Sequence, residues 1–182
     1  MSDELHFDLT LYPEPILRKQ ALPVVEFGPE LKRTIVAMFE RMFESKGVGL
    51  AAPQVGLKQQ ILVANPTGDR KDDLVLVNPT ITARAGADTL YDEGCLSFPG
   101  IYAEIKRPER CTVVAFDIEG KKFEKEYDGF LARIIQHEFD HLEGVLLVDR
   151  MSPADKLKNR GALETLVDRY QRRQRKSSAQ PG

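Results

Sequence analysis

The segment His137-Glu138-Phe139-Asp140-His141 has the residue types and spacing of a hydrolytic metal site. On a helix, two histidines four residues apart lie on one face, one turn from each other, where both imidazoles can hold one ion. The glutamate then falls beside the coordination position left open, where it can take a proton from bound water. The neighbours Ile134, Ile135 and Leu142 mark this helix as buried, and polar groups on a buried face need partners, which a metal supplies. A catalytic site of this type needs a third protein ligand. The extended pattern H-E-x-x-H-x-x-G-x-x-H fits at Gly144 and fails at Leu147, which excludes that class. Two candidates remain. One is Glu164, downstream on the last expected helix. The other is Cys95 in Glu93-Gly94-Cys95-Leu96-Ser97, where the flanking glycine predicts a turn. A free cysteine is more often a small buried hydrophobe, and Cys111, in the apolar run 111–116, is given that reading. A further segment, Gly47-Val48-Gly49-Leu50-Ala51-Ala52-Pro53-Gln54, has small residues that let backbone or ligand approach closely. It ends in an amide donor beside a stiffening proline. It is not a phosphate loop, because the Lys-Ser/Thr that should follow is missing.

These residues need a scaffold, and the hydrophobic pattern outlines one. Leu31, Ile35, Met38, Phe39, Met42 and Phe43 recur at helical spacing, predicting a helix from about Pro29 to Lys46 that Gly47 and Gly49 end. Residues 60–64, 74–82 and 110–118 are rich in Val, Ile and Thr and predict strands. Glu119-Gly120 predicts a hairpin turn into an alternating partner strand. Phe130, Leu131, Ile134 and Ile135 restore the helical period over about 128–142, with Gly144 closing that helix, and Pro153 opens a last helix to about Arg175. Residues 1–27 read as an irregular arm and 177–182 as a disordered tail. The sum is an α+β fold. Mixed or antiparallel sheets pack around a central metal-binding helix, with an N-terminal and a C-terminal helix, in a single domain over residues 1–176.

Composition narrows the function classes. The chain has 182 residues, 26 Lys plus Arg against 28 Asp plus Glu, and a net charge of −2, which argues against a whole-protein nucleic-acid coat and against sequence-specific nucleic-acid binding. Its 42% hydrophobic content comes in short runs, with no stretch of about 20 apolar residues to span a membrane. Two cysteines make no disulfide framework. The start MSDELHFD carries acids and no basic region, giving the expectation of no signal or transit peptide and a cytoplasmic, bacterial-type location.

In this order, GVGLAAPQ, EGCLS and QHEFDHLEG strongly resemble the motifs of the peptide deformylase family, over nearly the whole chain. Ser97-Phe98-Pro99-Gly100-Ile101-Tyr102 resembles its type I branch called 1B. The resemblance implies that Cys95, His137 and His141 hold the metal, which in the family is usually Fe(II), with Zn(II), Ni(II) or Co(II) able to occupy the site. It implies that Glu138 is general base and then acid, and that Gln54 and the Leu96 N–H meet the oxyanion. Gly49 would present backbone to an extended peptide. The substrate would be the N-formyl-methionyl end of a nascent polypeptide and the product formate, with bound water attacking the formyl carbon. A formyl group is small, and a tight cleft at Gly49 and Leu50 would exclude larger acyl groups. Phe130, Arg133 and Ile134 share a helix face with His137. With Val48, Tyr91, Glu93 and Gly94 they are the expected substrate-binding residues. Arg133 stands where several relatives are apolar. It is read as lying at the pocket mouth, meeting peptide carbonyls, or as a solvated helix charge.

Two other readings stay open. A zinc endopeptidase would use His137, His141 and Glu164. A catalytically dead module would only bind nascent N-termini. Arg169, Arg172, Arg173, Arg175 and Lys176 form a run of five basic residues without an acid, and four of them share one face if the helix continues. A cationic helix end of this kind predicts docking to the ribosome, whose surface is largely RNA phosphate.

Overall fold

The computed structural model describes residues 5–178. The arm runs without long elements to α1 (Pro29–Glu44), which starts on a proline at its first turn and buries the expected stripe, including Leu31, Ile35, Met38 and Met42. Then come β1 (Gly49–Ala51), a short 3-10 turn at Ala52–Val55, β2 (Ile61–Ala64), β3 (Leu74–Cys95), β4 (Phe98–Phe116) and β5 (Lys122–Asp128). The helices α2 (Gly129–Leu142), α3 (Leu147–Arg150), α4 (Pro153–Lys158) and α5 (Arg160–Ser178) follow. The five strands form one antiparallel sheet in the order of the chain. The sheet is therefore not mixed; the parallel element is a lone bridge from Leu22 in the arm to Gln59.

Strand alternation decides which helix covers which face. Leu50, Ile61, Val63 and Val77 point to α1 and share a core with Ile35, Met38 and Met42. Their neighbours Ala51, Leu62 and Leu76 point the other way, into a core with Ala132 and Ile135 of α2. Short strands covered on both faces are apolar at every position, as β2 is. A third core joins Phe98, Ile101 and Ile105 of β4 to Leu146, Leu147 and Leu166. That core fixes the C-terminal helices to the outer half of the β3–β4 hairpin.

Several boundaries depart from expectation. Helix α1 ends at Glu44, and the left-handed residue after it is Lys46 (φ 56°), not Gly47. Gly47 and Gly49 are needed for space instead. A Cβ on Gly47 would lie 2.7 Å from Leu96 Cδ1, and one on Gly49 would lie 2.5 Å from Glu138 Oε1. The strands expected at 74–82 and 110–118 fall on β3 and β4, which also cover residues 83–95 and 98–109, and β4 ends at Phe116, two residues before the expected end. Helix α5 runs on through Ser178, so Ser177 and Ser178 are helical; residues 179–182 of the expected tail lie outside the described residues. Among the described residues no helix is long and apolar enough to cross a membrane.

Cys111 sits on β4 in the core beneath α2, 1% exposed, and burial pushes its thiol up to about 11. A thiolate is the reactive form. Iodoacetamide is therefore expected to leave Cys111 unmodified in the folded protein at pH 7.5 and to modify it in denaturant, read by mass spectrometry. Labelling in the folded protein would mean that this core opens.

Candidate active site

Two elements bring the site together. Helix α2 carries His137, Glu138 and His141 along its sheet-facing side, all three buried. Cys95 is the last residue of β3, paired with Phe98 across the turn at Leu96 and Ser97. The glycine neighbour suggested a turn at Cys95, but Gly94 is paired within the strand, and it is a glycine because a Cβ there would stand 2.7 Å from Tyr102 Cε1. The arm holds this assembly from outside. Thr10 N donates to Gln54 O (2.7 Å), Tyr12 N donates to Ser97 O (2.9 Å), and the Tyr12 ring stacks on Phe98.

Cys95 Sγ lies 3.2 Å from His141 Nε2, and the ligand atoms of Cys95, His137 and His141 lie within 4.8 Å of one another. Around a tetrahedral ion with bonds of about 2.0–2.3 Å, such atoms stand roughly 3.3–3.7 Å apart. Glu138 Oε2 is buried without a hydrogen-bond partner among the described residues. A thiolate with two imidazoles is a borderline-soft donor set, suited to Fe(II), Zn(II), Co(II) or Ni(II) and poorly suited to Mg(II) or Ca(II). The donor set and its spacing thus fit a divalent transition metal. Glu164 is not part of it: its carboxylate is exposed on α5 and accepts a bond from Arg160 (2.8 Å).

Behind the ligands lies a buried charge ladder. His137 Nδ1 meets Glu93 Oε2 (2.9 Å), so its Nε2 is the nitrogen free for the site. Arg107 donates to both oxygens of Glu93 (2.8 and 3.0 Å) and to Asp140 (2.9 Å), which also accepts from Arg150 (2.6 and 3.1 Å). Burial works to raise the Glu93 carboxyl, but the bonds from His137 and Arg107 outweigh it and hold it at about 2. Burial pushes the Glu138 carboxyl up to about 7. Arg107 and Asp140 were missed in the sequence. Asp140 stood inside the histidine motif, while Arg107 has partners 14 and 33 residues away and carries no local signal.

A cavity of about 590 Å³ opens onto these groups. Val48, Gly49, Tyr91, Glu93, Gly94, Cys95, Leu96, Phe130, Arg133, Ile134, His137 and Glu138 line it, as do Ile101 and Tyr102, which the sequence marked as part of a motif but not as site residues. Leu50 does not: its side chain is fully buried in the core under α1, since alternation along β1 turns it away from the site. Gln54 is fixed by a bond from Ala51 N to its Oε1 (2.8 Å), which turns its NH₂ towards Ser97 Oγ (3.3 Å) and Cys95 Sγ (3.5 Å). Arg133 is neither at the mouth nor solvated. It is buried and bonded to Glu93, Ile105 O and Thr89, because the hairpin places four acceptors over this face of α2.

Comparison with known proteins agrees with this geometry. A sequence model of the family described as "Polypeptide deformylase" matches residues 7–157. The chain is 46% identical over 162 residues to peptide deformylase 1B, chloroplastic/mitochondrial, of Arabidopsis thaliana, covering 88% of this chain and 59% of that protein. It thus spans about three fifths of that plant relative's length, whereas it spans 90% of the peptide deformylase of Thermotoga maritima, at 43% identity over 151 residues and 83% of this chain. A crystal structure of a plant peptide deformylase PDF1B superposes with a TM-score of 0.90 at 43% identity, covering 95% of each chain. A Plasmodium falciparum peptide deformylase superposes with a TM-score of 0.88 at 40% identity, covering 90% of this chain and 97% of that one. The match over most of the chain, with the motifs converging on one cavity, shows that the chain belongs to the polypeptide deformylase family.

Proposed function

We propose that the protein hydrolyses the N-formyl group from formyl-methionine at the start of nascent polypeptides, releasing formate. The observation that carries this is the Cys95–His137–His141 cluster with the Gln54 amide against Cys95 Sγ on one side, while Cys95, His137 and Glu138 line one cavity. Cys95, His137 and His141 would hold one divalent ion, with Fe(II) expected in the cell from the family resemblance. When bound, such an ion acidifies a coordinated water towards a pKa of about 7 and polarises a carbonyl oxygen. Glu138 takes the proton from the attacking water and delivers it to the leaving amine as the formyl C–N bond breaks. Gln54 Nε2 donates to the developing oxyanion, its direction set by Ala51 N–H; the Leu96 N–H is the proposed second donor. One such donor is worth about 10²–10³ in rate. Gly49 lets β1 lie against Glu138, where a Cβ would stand 2.5 Å from its Oε1; the narrow cleft proposed there admits a formyl group and excludes larger acyl groups. Val48, Tyr91 and Phe130 are 40–50% exposed at the cavity and offer apolar surface to a methionine side chain. The reading requires a compartment where polypeptides start with formyl-methionine.

The test is anaerobic purification, elemental analysis, and formate release from a formyl-Met peptide against its acetyl-Met counterpart. Cleavage of an unformylated peptide with no formate release would favour the endopeptidase reading. Tight peptide binding without turnover by metal-loaded protein would favour the binding module.

Docking to the ribosome is a second part of the proposal, supported by α5. The helix continues to Ser178, so Arg169, Arg172, Arg173 and Lys176 do lie along one face. Among the described residues beyond Val167, all but Tyr170 are exposed. Arg173 pairs with Glu14 of the arm (3.1 Å). Changing the five basic residues to glutamine is expected to leave deformylation of free peptides unaltered and to reduce co-sedimentation with ribosomes. Binding by the parent protein should fall steeply between 50 and 200 mM salt, as phosphate contacts do. Salt-insensitive binding, or binding unaltered by the five changes, would assign the helix end to solvated charge.

A further inference from the structure

We propose that Arg133 is a positioning residue that ties the substrate side-chain cavity to the candidate metal ligands through Glu93; this rests on the functional reading above. The bonds of Glu93 show why. Its Oε1 accepts from Arg107 Nε and Arg133 Nη1 (both 2.8 Å), and its Oε2 from Arg107 Nη2 (3.0 Å), with His137 Nδ1 at 2.9 Å. A carboxylate has about four acceptor sites, so this one is full, and it cannot turn without breaking a charge-assisted bond. Arg107 holds it from the hairpin side. Arg133 holds it from α2, one helical turn before His137, so the ligand and the clamp on its partner move with the same helix.

Arg133 is itself fixed. Its Nη1 also donates to Ile105 O (3.0 Å), and its Nη2 donates to both Thr89 O and Thr89 Oγ1 (2.8 Å each). Four bonds to β3 and β4 join both strands of the hairpin to α2. A solvated charge has no use for such a cage, and a residue needed only for packing would be apolar.

The outer side of Arg133 belongs to the cavity. Its side chain lines the wall, and its guanidinium lies 5.4 Å from the Tyr91 ring centroid, which in turn is 5.8 Å from the Phe130 ring. Tyr91 is half exposed on the cavity wall, where an entering side chain meets it. A substrate side chain that fills the cavity packs on Tyr91 and Arg133 and supports this already full clamp, and with it the orientation of His137, as the transition state forms. A short side chain leaves the clamp without that support. Recognition is thereby converted into rate as well as affinity, which is the use of remote binding energy that raises kcat.

The test uses the full-length protein loaded with Co(II), comparing the parent with Arg133→Leu and Arg133→Lys. Three quantities are measured: Co(II) retention against a chelator, the visible Co(II)–thiolate spectrum, and kcat and KM for formyl-Met and formyl-Ala tripeptides. The parent should favour formyl-Met in both kcat and KM. Arg133→Leu should hold Co(II) up to about 10-fold less tightly, the lower end of outer-shell losses because Glu93 keeps its bonds from Arg107, and shift the spectrum. Its formyl-Met preference in kcat should collapse, leaving the preference in KM. Arg133→Lys keeps the charge without the planar fork; it should show the same changes to a smaller degree, and it carries the test if the leucine variant does not fold. Unaltered Co(II) retention, spectrum and kcat ratio in a folded variant would overturn the proposal. Failure of the parent itself to bind Co(II) or release formate would instead overturn the functional reading.

Discussion

Glu138→Gln is expected to retain the fold and the metal and to lower formate release by about 10²–10⁴, the usual contribution of a positioned general base. Glutamine has the shape of glutamate and one oxygen in place, but no lone pair basic enough to take a proton from water. The site is tightly shaped around this side chain: Glu138 is 5% exposed, and Gly49 leaves it the space a Cβ would fill. Its Oε2 has no partner among the described residues, so the substitution breaks no hydrogen bond at that atom. Metal content by elemental analysis and peptide binding by calorimetry should stay near the parent's while turnover falls. Near-normal turnover would remove Glu138 from the mechanism.

Cys95→Ser should lose both metal and activity. Its thiolate would be the soft member of the proposed donor set and the one ligand contributed from outside α2. A serine hydroxyl is not deprotonated at neutral pH and leaves a two-imidazole site. Its effect on metal retention should exceed the 10–100-fold typical of outer-shell losses. Cys111→Ser is the paired control. That side chain lies in the core under α2, and its substitution should leave metal content and turnover intact at some cost in stability. Normal metal binding by Cys95→Ser would show that the site is built from other ligands.

Much of this arrangement could be read in the chain because it is local. The pair His137 and His141 follows from helical periodicity alone, and so does the stripe of α1. What escaped was non-local. The outer half of the β3–β4 hairpin, residues 83–109, holds eight charged residues and three glycines, and its β3 side is largely exposed. Its alternation is broken by register shifts, one between Ala85 and Asp88 at Gly86, whose φ is 80°. Such a strand is held by its partner, not by its own composition. Arg133 was placed correctly on the face of His137, yet its environment was misjudged. The four acceptors that make a buried arginine affordable come from Thr89, Glu93 and Ile105, on two strands far along the sequence. Leu50 sits within a recognisable motif, and strand parity alone turns its side chain away from the cavity.

The hairpin that ends in Cys95 also bears on how the molecule assembles. Its two-residue turn at Leu96 and Ser97 joins Cys95 to Phe98, only three residues on, while the base pairs Val77 with Phe116. Contacts of low sequence separation close first, because loop closure costs less entropy. Zippering from the tip would therefore place the sulfur early, with the third core waiting for α3 and α5. His141 comes to Cys95 across a separation of 46 residues, so the coordination sphere closes only when α2 docks on the finished sheet. An ion added during refolding should then leave the hairpin's own formation rate unaltered and slow the undocking of α2, making metal capture a clock for the last stage of folding.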